Sequence, residues 1–323
     1  MEKPTFQSAV EARKTISKYV TKTPLISYAA LSKYLGAEVR LKHENYHPLG
    51  SFKIRGGINL LANMSSEDIR RGLITASTGN HGQSIASASS VFGAKAIVVV
   101  PNDANPLKVD SMRNLGAEVV FYGSNFDEAR GHCERLALEE GYRYVHSGNE
   151  PLIIAGVATY ALEIIEDFPD VEYIFVPCGG GSGVAGVCLV VNAANSAIQV
   201  VAVQSKQAPA AYLSWKNRKL MSAPMNTIAE GLATKSGFEV PQSIMWDLLD
   251  QFLLVSDEEI ELAMTVLIEK AHTLSEAAGA AALAGALQAK DSIKGNKVVI
   301  VVSGSNVTLD RLSDAIGRSK SLS

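Results

Sequence analysis

The chain has 323 residues, 47% of them hydrophobic, enough to bury a large core and to form more than one compact unit. Its 30 basic and 33 acidic residues are interspersed and leave a formal charge of −3, so there is no electrostatic footprint for nucleic acid or an anionic membrane surface. No run approaches the roughly 18 apolar residues that a membrane span needs, and three widely spaced cysteines, Cys133, Cys178 and Cys188, lack metal-ligand spacing and fit a reducing compartment. A cytoplasmic protein without a structural metal is expected.

The opening pattern Ala9, Ala12, Ile16, Tyr19, interrupted by Glu11, Arg13, Lys14 and Lys18, predicts an amphipathic surface helix rather than a signal peptide. Lys53 stands at the start of a further predicted helix. From residue 72 onward short apolar runs alternate with helical patterns, which predicts an α/β fold built on parallel sheets. Strands are expected over 72–77, 95–101 and 118–122, each followed by an amphipathic helix, with 142–146 closing a first unit. A second series comprises a helix through Tyr160 and Ile164, a strand Tyr173–Pro177, a helix after Gly186, and strands over 198–203 and Lys297–Val302. Residues 257–290 read as two helices broken near Leu274, with the Ser275 side chain expected to cap the second.

Three segments, 77–83, 178–186 and 303–306, fall at strand ends, where ligands of open α/β sheets bind. Gly179, Gly180, Gly181, Ser182, Gly183 and Gly186 follow a strand and open a helix; glycines there let backbone N–H groups approach an anion, and the helix dipole favours a phosphate over a mere tight turn. Gly181, Gly183 and Gly186 also satisfy dinucleotide-fingerprint spacing, which asks for an acidic residue about 20 positions on. Val203, Gln204 and Ser205 stand there, which counts against a nicotinamide-dependent oxidoreductase and leaves it as a rival of another class. Ser77, Thr78, Gly79, Asn80 and His81 precede a helix running to Phe92 and form a second anion pocket, suited to a carboxylate. A lone lysine such as Lys53 is ordinarily a solvated surface charge; beside two anion pockets it becomes a candidate for Schiff-base and general-base chemistry. His81 reads as a residue the turn needs for orientation, and His43, His47, His132, His146 and His272 form no cluster that would support a metal hydrolase.

Ser51-Phe52-Lys53 with Arg55-Gly56, then Ser77-Thr78-Gly79-Asn80-His81, the glycine loop, and Ser303-Gly304-Ser305-Asn306 together resemble the fold-type II pyridoxal-phosphate enzymes. Within them the chain is similar to the serine/threonine dehydratase (threonine ammonia-lyase) and serine racemase branch, from about residue 5 to about residue 310. The resemblance implies two three-layer αβα open-sheet domains, like the tryptophan synthase β-subunit. These are a large discontinuous domain (1–50 and 147–323) and a small domain (51–146), with the active site in the cleft between them. It also implies pyridoxal 5′-phosphate on Lys53, Phe52 against the ring, Asn80 at the ring hydroxyl, Gly179, Gly180, Gly181, Ser182 and Gly183 around the phosphate, Ser303 at the pyridine nitrogen and Glu276 near the ring. Ser77, Thr78, Gly79 and His81 would surround the substrate carboxylate.

The activity so implied is elimination of the β-hydroxyl of L-threonine or L-serine, giving a 2-oxo acid and ammonia, with Lys53 as the base. The alternatives within the branch are a serine racemase or a dehydratase of another β-hydroxy amino acid, of hydroxyaspartate, phenylserine or hydroxyectoine-pathway type. Three departures bear on the choice. Cation-activated members carry a Glu, an Ala or Gly four residues on and an Asp two further; Gln204, Ala208 and Ala210 stand at those places, so two carboxylates are missing and no metal site is expected. Thr78 replaces the racemase serine with a hydroxyl whose β-methyl crowds the ring face. Ser182 replaces the fourth glycine and offers a further phosphate contact. Residues 307–323 are too few for a regulatory domain, which implies a short, catabolic-type enzyme, and the resemblance implies a homodimer or homotetramer.

Overall fold

In the computed structural model, which describes residues 2–322, the chain forms two open sheets. Strands β1 (Leu25–Ser27) and β2 (Glu38–His43) come first. Next, β3 (Leu73–Ala76), β4 (Ala96–Val100), β5 (Glu118–Phe121) and β6 (Arg143–Tyr144) make a four-stranded sheet in the order β5-β4-β3-β6. Finally β7 (Tyr173–Pro177), β8 (Gln199–Ser205), β9 (Gln251–Val255) and β10 (Lys297–Val302) join the first two strands in a six-stranded sheet ordered β1-β2-β10-β7-β8-β9. Every pairing is parallel except that of β1 with β2.

Alternation along the strands builds the layers. Ile174 and Val176 of β7, Val200 and Ala202 of β8, and Val299 and Val301 of β10 enter one core. Their neighbours Phe175, Val201, Val203, Val298, Ile300 and Val302 enter a second core on the opposite face. Because successive side chains point to opposite faces, a strand apolar at every position needs helices on both sides. The small sheet repeats the device: Ile74, Ala76, Ile97 and Val99 face one core, while Ala96, Val98 and Val100 face the other. The fold is therefore α/β with three-layer αβα sheets, as the motifs imply.

The first helix, Phe6–Ile16, buries Ala9, Ala12 and Ile16, and a capping box between Thr5 and Ser8 starts it. Five details differ from the sequence reading. β1, β2 and β9 were not foreseen. The charged Arg40 and Lys42 disguise β2, and β9 follows an apolar helix so closely that the run 244–255 carries no single period. The expected 142–146 strand shrinks to Arg143–Tyr144, and the strand expected over 198–203 begins at Gln199 and extends to Ser205, where it pairs with Val255 of β9. The helix expected after Gly186 spans Ser182–Ala194 and begins inside the glycine segment. Ser275 is not a cap: its hydroxyl reaches the carbonyls of Glu276 (2.9 Å) and Gly304 (3.1 Å), and Glu276 is the N-cap of helix Ala277–Gln288, with no capping bond from its side chain to the helix backbone. That hydroxyl fastens the loop after β10.

Candidate active site

Backbone pairing brings the Lys53 segment to the end of β10. Ser51 bridges Gly304, the Phe52 N–H donates to Ser303 O (3.1 Å) and the Ser305 N–H donates to Gly50 O (2.8 Å). Lys53 is the first residue of helix Lys53–Ala62, and Arg55 anchors that helix. The buried guanidinium gives Nε and Nη2 to Glu44 (2.7 and 2.8 Å) and Nη1 and Nη2 to Glu163 (2.7 and 2.9 Å), while Lys42 also pairs with Glu163. Burial opposes the charge on Glu44, yet Arg55 and His47 outweigh it and hold the carboxyl well below its usual range. The Lys53 ammonium lies 3.3 Å from Ser182 Oγ, 3.4 Å from Ser147 O and 5.1 Å from the centre of the Phe52 ring. Desolvation lowers its pKa to about 8, the direction a base or a Schiff-base amine requires.

The turn after β7 has the form of an anion cradle. Among the described residues, no backbone N–H of Gly179, Gly180, Gly181, Ser182 or Gly183 donates to another protein group. These donors gather at the N-terminus of helix Ser182–Ala194, whose dipole adds positive potential. Side chains are excluded: a Cβ on Gly179 would meet Gly231 O at 2.2 Å, one on Gly180 would meet the Phe238 ring at 2.1 Å, and Gly181 has φ +91°. The Tyr160 hydroxyl donates to Gly183 O (3.1 Å), and its ring meets Phe52 edge-on. The donor set fits a phosphate, and Lys53 stands beside it.

The second turn also has unspent donors. The Ser77 hydroxyl accepts from Gly79 N–H (3.3 Å) and Gly82 N–H (2.9 Å), so it braces the turn. The N–H groups of Thr78, Asn80 and His81 have no partner among the described residues. The His81 ring is 6% exposed residue-wide and its Nε2 lies 3.1 Å from the Thr75 hydroxyl, which itself donates to Val145 O. Burial, then the Lys53 charge, lowers its pKa to about 3, so the imidazole is neutral and committed to the sheet. Any contact from His81 to a carboxylate at this turn falls to its backbone N–H.

A chain of side chains closes the opposite edge. Asn80 Nδ2 donates to Glu276 Oε1 (2.7 Å), and Asn80 Oδ1 accepts from Asn306 Nδ2 (2.7 Å), which also reaches Leu49 O (2.8 Å). Burial raises Glu276 to about 7, although Lys108 and Asn80 pull the other way. Ser303 is 8% exposed, and its hydroxyl makes no hydrogen bond among the described residues. A cavity of about 150 Å³, lined in part by Lys108, Glu230, Glu276, Asn306 and Arg311, flanks this edge. Sequence reasoning assigned no role to Asn306, although it closes the fourth motif. It gave none to Phe238 either, an isolated aromatic without local signal that packs on Gly148, Gly180 and His146. Gln204, which stands where cation-activated members carry a Glu, turns its Oε1 to the Tyr212 N–H (3.0 Å).

A parallel α/β sheet with a desolvated lysine between a phosphate cradle and a carboxylate-sized turn defines a class: enzymes that hold a phosphorylated aldehyde cofactor as a Schiff base. A family model described as "Pyridoxal-phosphate dependent enzyme" matches residues 16–304. The L-threonine ammonia-lyase of Thermotoga maritima is 37% identical over 317 residues, 97% of this chain and 78% of that one. The processed form of threonine deaminase isoform 2 from Solanum lycopersicum superposes with a TM-score of 0.92 at 30% identity, over 98% of this chain and 95% of that one. Maize serine racemase does so with 0.91 at 29%, over 99% of both. The chain belongs to the pyridoxal-phosphate dependent enzymes, of fold type II.

Proposed function

We propose that the protein is a pyridoxal-phosphate-dependent ammonia-lyase that removes the β-hydroxyl of L-threonine or L-serine and releases a 2-oxo acid and ammonia. One observation carries this reading: the amine of Lys53, lowered to about 8, stands beside the glycine cradle of unspent N–H donors. Its relatives named for threonine ammonia-lyase and threonine deaminase support the choice of substrate. Bound pyridoxal phosphate supplies an aldehyde that condenses with amines and a ring that takes up electrons from Cα.

The chain's own residues do the rest. Gly179, Gly180, Gly181, Ser182 and Gly183 would hold the phosphate by backbone N–H groups. Phe52 would pack against the ring, Asn80 and Glu276 would take its hydroxyl edge, and Ser303 would offer an uncharged partner to its nitrogen. The N–H groups of Thr78, Asn80 and His81 hold the substrate carboxylate, with Ser77 and Gly79 shaping the turn and the Thr78 hydroxyl near the reacting face. Lys53 takes the Cα proton as an uncharged amine, a form its lowered pKa makes accessible near neutral pH. We assign residues 51–146 to a small domain and residues 1–50 with 147–323 to a large one that together enclose the site. We further propose a homodimer or homotetramer in the cytoplasm; no helix among the described residues is long and apolar enough to cross a membrane.

The test is to incubate the purified holoenzyme with L-threonine, L-serine and larger β-hydroxy amino acids, assaying 2-oxo acid beside D-amino acid. Fast 2-oxo acid formation from threonine or serine is the expected result. Predominant D-serine would instead establish a racemase and overturn the assignment.

A further inference from the structure

Ser182 is the residue at which this glycine turn departs from an all-glycine cradle, and its side chain reaches the one amine the chemistry depends on. Its residue is 3% exposed, and its hydroxyl accepts from Lys53 Nζ at 3.3 Å. No other hydrogen bond to Ser182 Oγ occurs among the described residues, so its own proton is unspent. The residue is also the first of helix Ser182–Ala194, next to the unpaired N–H groups of the cradle. A hydroxyl can accept and donate at once.

We propose that Ser182 is a bridging site residue: its hydroxyl accepts from the free amine of Lys53 and donates to the anion in the glycine cradle, fastening the lysine to the phosphate site. This rests on the reading of Lys53 as the cofactor lysine. The bridge holds the amine in one place whenever it is not bonded to cofactor, at the cost of one hydroxyl and without a second charged group. It also couples two events. An anion that accepts a hydrogen bond from the Ser182 hydroxyl makes its oxygen a stronger acceptor, and so favours the ammonium form of Lys53.

The local charges leave Ser182 room to act. The Ser147 carbonyl, 3.4 Å from Nζ, is the other hydrogen-bond acceptor of Lys53. The imidazoles of His81, on the helix after β3, and His146, after β6, are the titratable groups that feel the Lys53 charge. Burial holds them at about 3 and about 4, so both are neutral throughout the range in which Lys53 titrates.

The experiment uses full-length apoprotein prepared from the holoenzyme, as wild type, Ser182→Ala and Ser182→Gly. The pH dependence of Schiff-base formation with pyridoxal, which lacks the phosphate, reads the lysine through visible absorbance. Titration with pyridoxal 5′-phosphate reads the cradle. Both variants are expected to titrate the lysine roughly one pH unit lower than wild type, because a hydrogen bond to the ammonium is lost. Both are also expected to bind pyridoxal 5′-phosphate at least about tenfold more weakly. Weaker phosphate binding with an unmoved lysine overturns the bridge and leaves a simple phosphate contact. A moved lysine with unchanged affinity, or no change in either, overturns it equally. The glycine variant carries the test should the alanine variant fold poorly, since glycine is tolerated on both sides of the position. Failure of the wild type to take up either aldehyde would remove the proposed function itself, a result distinct from wild-type uptake with indifferent variants.

Discussion

On the proposed reading, a single desolvated amine, Lys53, sets the behaviour of the site. Lys53→Ala is expected to leave the thermal melt of the apoprotein nearly unchanged, to abolish the visible band of the holoenzyme, and to lower kcat/KM by at least about 10²–10⁴-fold, the range general-base loss produces. A colourless wild type would refute this at once. Glu276 gives a pH signature. Its carboxyl is raised to about 7 in the fold by burial, against 4.5 for the ordinary group, so between those values the folded chain holds a proton that the unfolded chain has released. Stability must therefore fall as pH climbs from about 4.5 to about 7. Glu276→Gln keeps the bond to Asn80 but removes the titration. The difference in melting temperature between variant and wild type should widen over that window, and a constant difference would contradict the raised carboxyl.

Elements hold these residues through contacts that tolerate little change. Helix Lys53–Ala62 is fixed by the buried pair of carboxylates that Arg55 spans, and Glu44 and Glu163 would lose their shared cation in Arg55→Met. Removing one partner of a buried network costs about 3–5 kcal/mol, which a urea midpoint would reveal; a loss below about 1 kcal/mol would mean that the network is dispensable. The turn after β7 is tight in another sense, since the neighbour of Gly179 is the Gly231 carbonyl and backbone cannot rotate aside. Gly179→Ala should weaken pyridoxal 5′-phosphate binding tenfold or more, about 1.4 kcal/mol, as measured by absorbance titration. Unchanged affinity would show that the cradle lies elsewhere.

At the scale of the whole molecule, the site is assembled from segments far apart in sequence: Lys53, Asn80, Ser182, Glu276 and Ser303 share one neighbourhood because the small sheet and the large sheet present the carboxyl ends of β3, β7 and β10 to each other. A ligand bound by both parts stabilises the fold by mass action. Pyridoxal 5′-phosphate at 100 times its dissociation constant should add about 2.7 kcal/mol, visible as a rise in melting temperature with cofactor concentration. A melting temperature indifferent to cofactor would contradict a site shared by both sheets.

Much of this was legible in the linear order of residues. The α/β class follows from apolar runs alternating with amphipathic ones: β4, apolar at every position, and β10, apolar after Lys297, read as strands covered on both faces. The glycines of the cradle were equally plain, because a run of residues without side chains has a backbone reason that sequence displays directly. What the sequence withheld depends on partners distant along the chain. Lys42 and Arg40 made β2 look solvated until Glu163 was seen to bury the lysine charge. The direction of the His81 ring, the closure of Asn80 by Asn306 and Glu276, and the seat of Phe238 on Gly180 are matters of packing between segments. So is the meeting of Ser182 with Lys53, separated by 129 positions. Local propensity and spacing fix which residues can form a turn, but only the folded chain decides which side chain fills the space that turn leaves.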